Sequence, residues 1–529
     1  MSVLLHHKGS PGFGRRAAIL AVAASLLLAA CGGGGGGGEG SSAPAEFRIA
    51  IGIDPDTLDP AGQTTTTVQN IVDYMVDTLV DIDKDGKLKP GLATDWEVAP
   101  DGLSITLTLR QGVTFHDGTP FNAEAVKFSL DRVLDPNVTV PIRGSYTVIQ
   151  EVEVVDDYTV RLHLSQPSPA LMAALSTTMV GIISPASVEE HGNTYTNYQH
   201  PVGTGPYVFK EYVPGERVVV EKNPDYWGEE PYYDRVIFQV VPEAATRMSQ
   251  LLSGQVDMII LPPVSDIPSL QQNPNVEVLL APSNRTIYIA INNNDEVLSD
   301  KRVRQALNYA VDKDAIIQNV LFGAATKLDA PMAPSLFGYC PVGAYEYNPD
   351  RARQLLAEAD VENLTLDFIA PTGRYVQDFQ AAEAIAGYLE DVGINVTLRT
   401  MDWPTYVQNI QQPPDQNDLD LHLLGWAPGY LDAQEQMVQF QLAAHPPNGL
   451  ATAFYTNPEV EDLLERASRE IDVETRADLY CQASRLIMDD APWIFLWYQS
   501  FPIVYSKDVT GVSYLPNEMF DAVYARPAN

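Results

Sequence analysis

Basic residues are scarce in this chain. Its 529 residues include 33 lysines and arginines against 69 aspartates and glutamates, a formal charge of −36. A surface of that sign repels polyphosphate and anionic lipid, which excludes nucleic acid as a partner and membrane contact through a basic face. The acidity itself reads as a solvated surface and does not identify a ligand. Cysteine is scarcer still, with three residues and no Cys or His neighbour at ligand spacing, so no metal site is expected. Beyond residue 30 no segment approaches eighteen consecutive apolar residues, and no later membrane span is expected. Catalytic signatures are missing too. His116, His163, His191, His200, His422 and His445 are scattered without i,i+4 pairing, and neither a Gly-X-Ser-X-Gly elbow nor a His-Glu-X-X-His helix occurs. Gly203-Thr204-Gly205-Pro206-Tyr207 lacks the lysine of a phosphate loop, and Pro206 removes an amide donor. Asp81-Ile82-Asp83-Lys84-Asp85-Gly86 opens like a calcium loop, but its twelfth position is Leu92 where a bidentate Glu belongs, so a turn between strands is expected. No cofactor is expected and the chain is not read as an enzyme.

What the chain does have begins at its N-terminus. Lys8, Arg15 and Arg16 precede an apolar run from Ala17 to Ala30, the build of a secretory signal. Leu28-Ala29-Ala30-Cys31 resembles a bacterial lipobox, which implies a signal peptide over 1–30 and lipidation of Cys31 as the mature N-terminus. Residues 31–45, with unbroken glycine from Gly32 to Gly38, read as a flexible tether. The expected location is therefore outside the cytoplasmic membrane, held to a membrane only through the lipid. Removing residues 1–30 deletes three basic and no acidic groups and takes the formal charge to −39. In an exported protein Cys340 and Cys481 can form one disulfide; their separation leaves bonded and free states open.

A chain of this length exceeds one core and predicts two or three domains. Phe47 to Ile53 reads as a buried strand, and Leu103–Leu109, Tyr158–Leu164 and Arg217–Glu221 alternate as half-buried strands. Val68 to Val80 and Thr246 to Leu252 carry apolar residues at helical spacing, and Asn122 is placed to cap a helix through Asp131. Helices and strands mix throughout, which predicts an α/β fold with mixed α+β sheets.

Longer motifs run through the whole body. They include Pro90-Gly-Leu-Ala-Thr-Asp95-Trp96-Glu, Phe115-His116-Asp117-Gly118 and Thr57-Leu58-Asp59-Pro60. Gly203–Tyr207 is followed by Asn223-Pro224-Asp225-Tyr226-Trp227, Gly254-Gln-Val-Asp257, Val303-Arg304-Gln305-Ala306-Leu307 with Ala310-Val-Asp312-Lys313, Gly393-Ile-Asn-Val and Gly425-Trp426. Over 46–529 this resembles the peptide/nickel-type extracytoplasmic solute-binding proteins of ABC transporters, family 5. The resemblance implies a two-lobed periplasmic-binding-protein-like fold with an extra subdomain in lobe I. Lobe I is expected at 46–76, 197–287 and 500–529, its insertion at 77–196, and lobe II at 288–499. Thr286–Asn292 and Trp493–Pro502, both rich in β-branched and aromatic residues, are expected to cross between lobes as a hinge.

The resemblance also implies a ligand cleft with aromatic walls and a few matched charges. Trp403 and Trp426 fall where relatives place cavity tryptophans. Gly425, Trp426 and Ala427 lie in a loop whose backbone can pair with an extended peptide. Arg374, in Gly373-Arg374-Tyr375, is a candidate for a ligand carboxylate, while Tyr430 and Asp432 lie further along the Gly425–Ala427 loop. Peptide-binding relatives commonly carry an aspartate three residues after the Gly-Trp tryptophan, paired with the ligand α-ammonium. Here that position is Gly429, so either Asp432 reaches the amine or free peptide N-termini are not bound in that way. The implied function is capture of an oligopeptide or similar polar solute by a monomer and delivery to an ABC permease. A nickel chelate, heme, glutathione, a sugar or an opine are alternatives within the family. A surface peptide or glycan hydrolase is the rival outside it, and a receptor presenting its ligand to a membrane sensor is not separable from transport by sequence.

Overall fold

Short β-branched and aromatic runs build the main sheet. The computed structural model of this chain describes residues 45–528 except 63–64, 138–139, 193–199 and 402. The expected signal peptide, lipobox Cys31 and most of the tether lie outside the described residues.

Among the described residues the main sheet has eleven strands. Its path runs Asn395–Met401, Thr365–Pro371, Leu421–Trp426, Val276–Ile291, Trp493–Ser506, Met258–Ile260, Glu46–Ile51, Arg235–Val240, Arg217–Lys222 and Tyr207–Val213. Ala325–Lys327 pairs with Trp493–Ser506 off that path. Two long antiparallel strands, Val276–Ile291 and Trp493–Ser506, join the halves of this sheet. Between Pro282 and Thr286 their register shifts, so Ser283, Asn284 and Arg285 bulge out of the ladder. A separate antiparallel sheet orders Ala93–Val98, Ser104–Leu109, Thr159–Leu164 and Ile149–Asp156.

The buried apolar residues follow these sheets. One cluster draws almost wholly on residues 79–182, and Tyr430 joins it. A second spans 47–76, 183–281 and 501–525. Two more lie on either face of the sheet within 287–497, and Ile82 joins one of them. No helix among the described residues is long and apolar enough to cross a membrane.

Most local expectations hold. Strands occupy Glu46–Ile51, Ser104–Leu109, Thr159–Leu164 and Arg217–Lys222, and Asn122 Oδ1 accepts from Ala125 N at 3.1 Å to open the helix Ala123–Leu134. Asp83 accepts from the backbone N–H of Asp85 and Lys87, a turn between the strands Val80–Ile82 and Leu88–Pro90. The helix expected over Val68–Val80 is shorter, Thr66–Val72. The carbonyls of Tyr74, Met75, Asp77, Thr78 and Leu79 instead accept from Tyr207, Gly205, Ile182, Leu92 and Ala93, so they cannot face along a helix axis.

Several family motifs act as staples around that segment. A Cβ on Gly203 would stand 2.2 Å from Met75 O, and one on Gly205 2.6 Å from Met75 C, so only glycine permits the approach. Gly205 O meets His116 Nε2 at 3.0 Å and accepts from Asn223 Nδ2 at 3.0 Å. Trp227 Nε1 donates to Asp77 at 2.8 Å while the Arg110 guanidinium covers its ring at 4.2 Å. Asp59 is buried against Arg132 at 2.5 Å. Cys340 and Cys481, the latter in the helix Val473–Asp490, are joined by a disulfide with their Cα atoms 5.2 Å apart.

Candidate functional site

A cavity of about 560 Å³ opens where the end of the strand Leu421–Trp426 leaves the sheet. Six of the seven ligand-site residues expected from sequence line it: Arg374, Trp403, Gly425, Trp426, Ala427 and Tyr430. The seventh, Asp432, does not.

The aromatic wall is assembled by local geometry. Pro404 falls in the first turn of the helix Trp403–Ile410, where a missing N–H costs nothing. One turn along, the Tyr406 ring stacks on Trp403, with centroids 5.5 Å apart. Tyr375 meets Trp403 edge-on at 6.2 Å and donates its hydroxyl to Gly425 O at 3.2 Å. The buried Tyr406 hydroxyl donates to Leu423 O. Gly425 is required here, since a Cβ would come within 2.6 Å of Ile287 Cδ1 and 2.7 Å of the Tyr375 ring.

Arg374 sits in a loop held from below. Asp378 accepts from the backbone N–H of Gly373, Arg374 and Tyr375 at 3.0, 2.7 and 3.0 Å, and Gly373 takes φ 75°. The guanidinium then lies 5.0 Å from the Trp403 ring centre and 5.1 Å from that of Tyr375. No carboxylate pairs with it among the described residues, so its fork remains available to a solute anion.

Past Trp426 the chain turns along the cavity. Thr286 Oγ1 donates to Trp426 O at 3.3 Å and Asn284 Nδ2 donates to Pro428 O at 2.7 Å. Between them, Ala427 has neither N–H nor C=O bonded among the described residues. That is the pattern a strand-like ligand needs for main-chain pairing.

The carboxylates differ from expectation. Asp432 caps the helix Ala433–Met437 through Gln434 N and forms a two-point ion pair with Arg476 at 2.8 and 2.6 Å, both side chains 4% exposed. It is therefore spent on holding the loop against the helix Val473–Asp490, not on a solute amine. The cavity carboxylate is Glu435 instead, which the sequence reading missed. Its Oε2 accepts from Gly429 N at 2.9 Å and Tyr430 N at 3.2 Å. Burial pushes its carboxyl up to about 7, against the opposing pull of those two N–H groups. Arg285 also lines the cavity from the bulge in the long strand, but Glu518 already holds it at 2.8 and 2.6 Å. Opposite these groups stand Thr66, Gln69, Pro141, Ile142, Ser145, Tyr146, Met179 and Asn517. None of them bears a formal charge. Nothing about them is unusual in sequence; only the fold brings them together. Among the described residues no His, Cys, Asp or Glu side chains are grouped to hold a metal ion.

Comparison with known proteins places this geometry. Residues 87–447 match the family described as bacterial extracellular solute-binding proteins, family 5. The glutathione-binding protein GsiB of Pectobacterium atrosepticum is 31% identical over 475 residues, covering 89% of this chain and 92% of that protein. HbpA2 from Haemophilus parasuis is similar in structure with a TM-score of 0.82 at 27% identity, covering 92% of this chain and 100% of its own. The dipeptide-binding protein of Pseudoalteromonas sp. SM9913, solved with Met-Leu, has a TM-score of 0.77 at 26% identity, covering 91% and 100%.

Proposed function

This chain belongs to family 5 of the bacterial extracellular solute-binding proteins, and on that premise we propose that it captures a short peptide or peptide-like polar solute for an ABC importer. The observation that carries the solute class is one wall that offers indoles at Trp403 and Trp426 together with a guanidinium at Arg374 and main chain at Ala427 that have no ion-pair or hydrogen-bond partner among the described residues. A cavity of about 560 Å³ lies within the range of small-molecule sites. The names of its relatives support the same class, since GsiB is named for glutathione and the Pseudoalteromonas protein holds a dipeptide.

On this reading lobe I comprises 46–76, 197–287 and 500–529 with the insertion 77–196, and lobe II comprises 288–499. The bulge Ser283–Arg285 sits at the hinge, where closure absorbs the backbone change. The protein acts as a monomer, binds without turnover, and is exported by a signal over 1–30 and anchored through lipid on Cys31. Native mass spectrometry of the chain lacking residues 1–30, followed by denaturation, tests the solute class. Release of short peptides or of glutathione is expected. A released sugar or porphyrin overturns the peptide class, and cleavage of a bound peptide overturns binding without turnover.

A further inference from the structure

Glu435 is a carboxylate without a cation. It lines the cavity, yet no lysine, arginine or histidine pairs with it among the described residues. Arg374 lines the same cavity and does not reach it, and Arg476 is taken by Asp432. Its two oxygens are not equivalent. Oε2 takes both backbone N–H groups, from Gly429 and Tyr430, while Oε1 accepts nothing from the described residues. A Cβ on Gly429 would stand 3.5 Å from Oε1 and 3.6 Å from Oε2, and 3.1 Å from the end of Met179. The absence of a side chain at 429 therefore leaves the carboxylate uncovered.

Other groups facing it cannot neutralise it. The phenols of Tyr146 and Tyr430 feel its charge, and burial holds both well above the ordinary range, so they remain neutral. Asp432, itself paired with Arg476, is a like charge that adds to the upward push on the Glu435 carboxyl. A desolvated carboxylate left unpaired is costly and is retained where something completes it.

We propose that Glu435 receives a cationic group of the solute, an ammonium, at its free Oε1, and that Gly429 keeps that approach open. The inference rests on the peptide-like reading above and adds which end of the solute goes where. With Arg374 offering the opposite charge, the cavity selects dipolar solutes whose ammonium lies at Glu435 and whose carboxylate lies at Arg374. Binding then takes the ionised carboxylate, and a Glu435 that starts protonated releases its proton as the ammonium arrives.

The test is a capture experiment with a defined mixture: tripeptides, glutathione, and the N-acetylated form of each. Wild type is expected to take the free amines in preference to their acetylated counterparts. Glu435→Gln keeps an oxygen for the Gly429 and Tyr430 N–H groups, so the loop stays in place and only the charge is lost. It should weaken free-amine capture about thirtyfold or more and spare the acetylated forms. Adding Gly429→Asp to Glu435→Gln returns a carboxylate to the same few ångströms and should recover part of the preference. For wild type, free-amine affinity should fall up to about tenfold per pH unit below about 7, and Glu435→Gln should show no such fall. Equal capture of free and acetylated probes, or an undiminished preference in Glu435→Gln, overturns the role of Glu435 and leaves the peptide reading standing. Capture of nothing in the mixture overturns both.

Discussion

The two walls of the cavity offer a solute different things. From 374 to 435 come a guanidinium, a carboxylate, two indoles and, at Ala427, main chain unbonded among the described residues. From Thr66, Gln69, Pro141, Ile142, Ser145, Tyr146, Met179 and Asn517 come methyl groups, amides, hydroxyls and one thioether, with no formal charge. On the proposed lobe closure, the charged wall holds a solute through directed bonds first, and the neutral wall then excludes water, which strengthens every bond already made. The difference teaches that recognition and enclosure are assigned to separate parts of one chain. Tyr430 links them: it stands on the charged side and buries its ring in the core of residues 79–182.

The largest effect expected concerns what stiffens the charged side. Cys340 and Cys481 close a loop of 141 residues behind that wall. Replacing both with alanine should cost about 5 kcal/mol in the chain-entropy account, read as an earlier thermal transition. Hydrogen exchange should rise within 288–499 and stay unchanged near Glu46–Ile51. Equal loosening of both sides would show that the disulfide does not stiffen the charged side in particular.

Glu435 comes next, through stability. Its carboxyl lies near 7 in the folded protein, above the ordinary glutamate value, so folding takes up a proton in the window between them. The penalty is full above pH 7 and vanishes as pH falls below about 4.5. Glu435→Gln should therefore stabilise the unliganded protein at pH 8 by up to about 3 kcal/mol, read as a higher melting temperature, and leave it unchanged near pH 4.5. An unchanged melting point at pH 8 would mean that the carboxylate is well solvated in the empty cavity.

Trp426→Ala should then cost about 2 kcal/mol of binding, near thirtyfold, with the fold intact. Loss of the fold would assign Trp426 to the core, against which it partly packs. Arg374→Ala should cost about tenfold for a peptide with a free carboxylate and little for its amide, measured by calorimetry.

Much of the scaffold was legible because it demands particular residues. Gly203 and Gly205 admit no side chain against Met75, and His116, Asn223 and Trp227 each close one specific bond around them. Trp403 and Trp426 were legible through the family resemblance, while the fit of Gly425 against the Tyr375 ring became visible only in the fold. Glu435 was not. In a chain with 69 acidic residues no spacing marks one carboxylate as unpaired; that depends on Arg476 having been taken by Asp432, three positions away. The neutral wall was invisible for a further reason. Its members come from four separated stretches, and a glutamine or a methionine carries no signature until folding places it. The helix expected to Val80 failed because carbonyl partners from distant segments outbid local periodicity.

The smallest expected effect tests the neutral wall itself. Gln69 projects from the short helix Thr66–Val72 and is only partly exposed, and its amide is among the polar groups that face the charged side. If that wall encloses without recognising, Gln69→Ala should change equilibrium affinity by less than about threefold, because no ionised partner is left uncompensated. Its effect should appear in dissociation, since the closed form loses a contact the open form never made. Stopped-flow release of a tryptophan-quenching peptide should then quicken while association stays the same. A loss as large as that of Arg374→Ala would put a recognition bond on the neutral wall and remove the division of labour between the two sides.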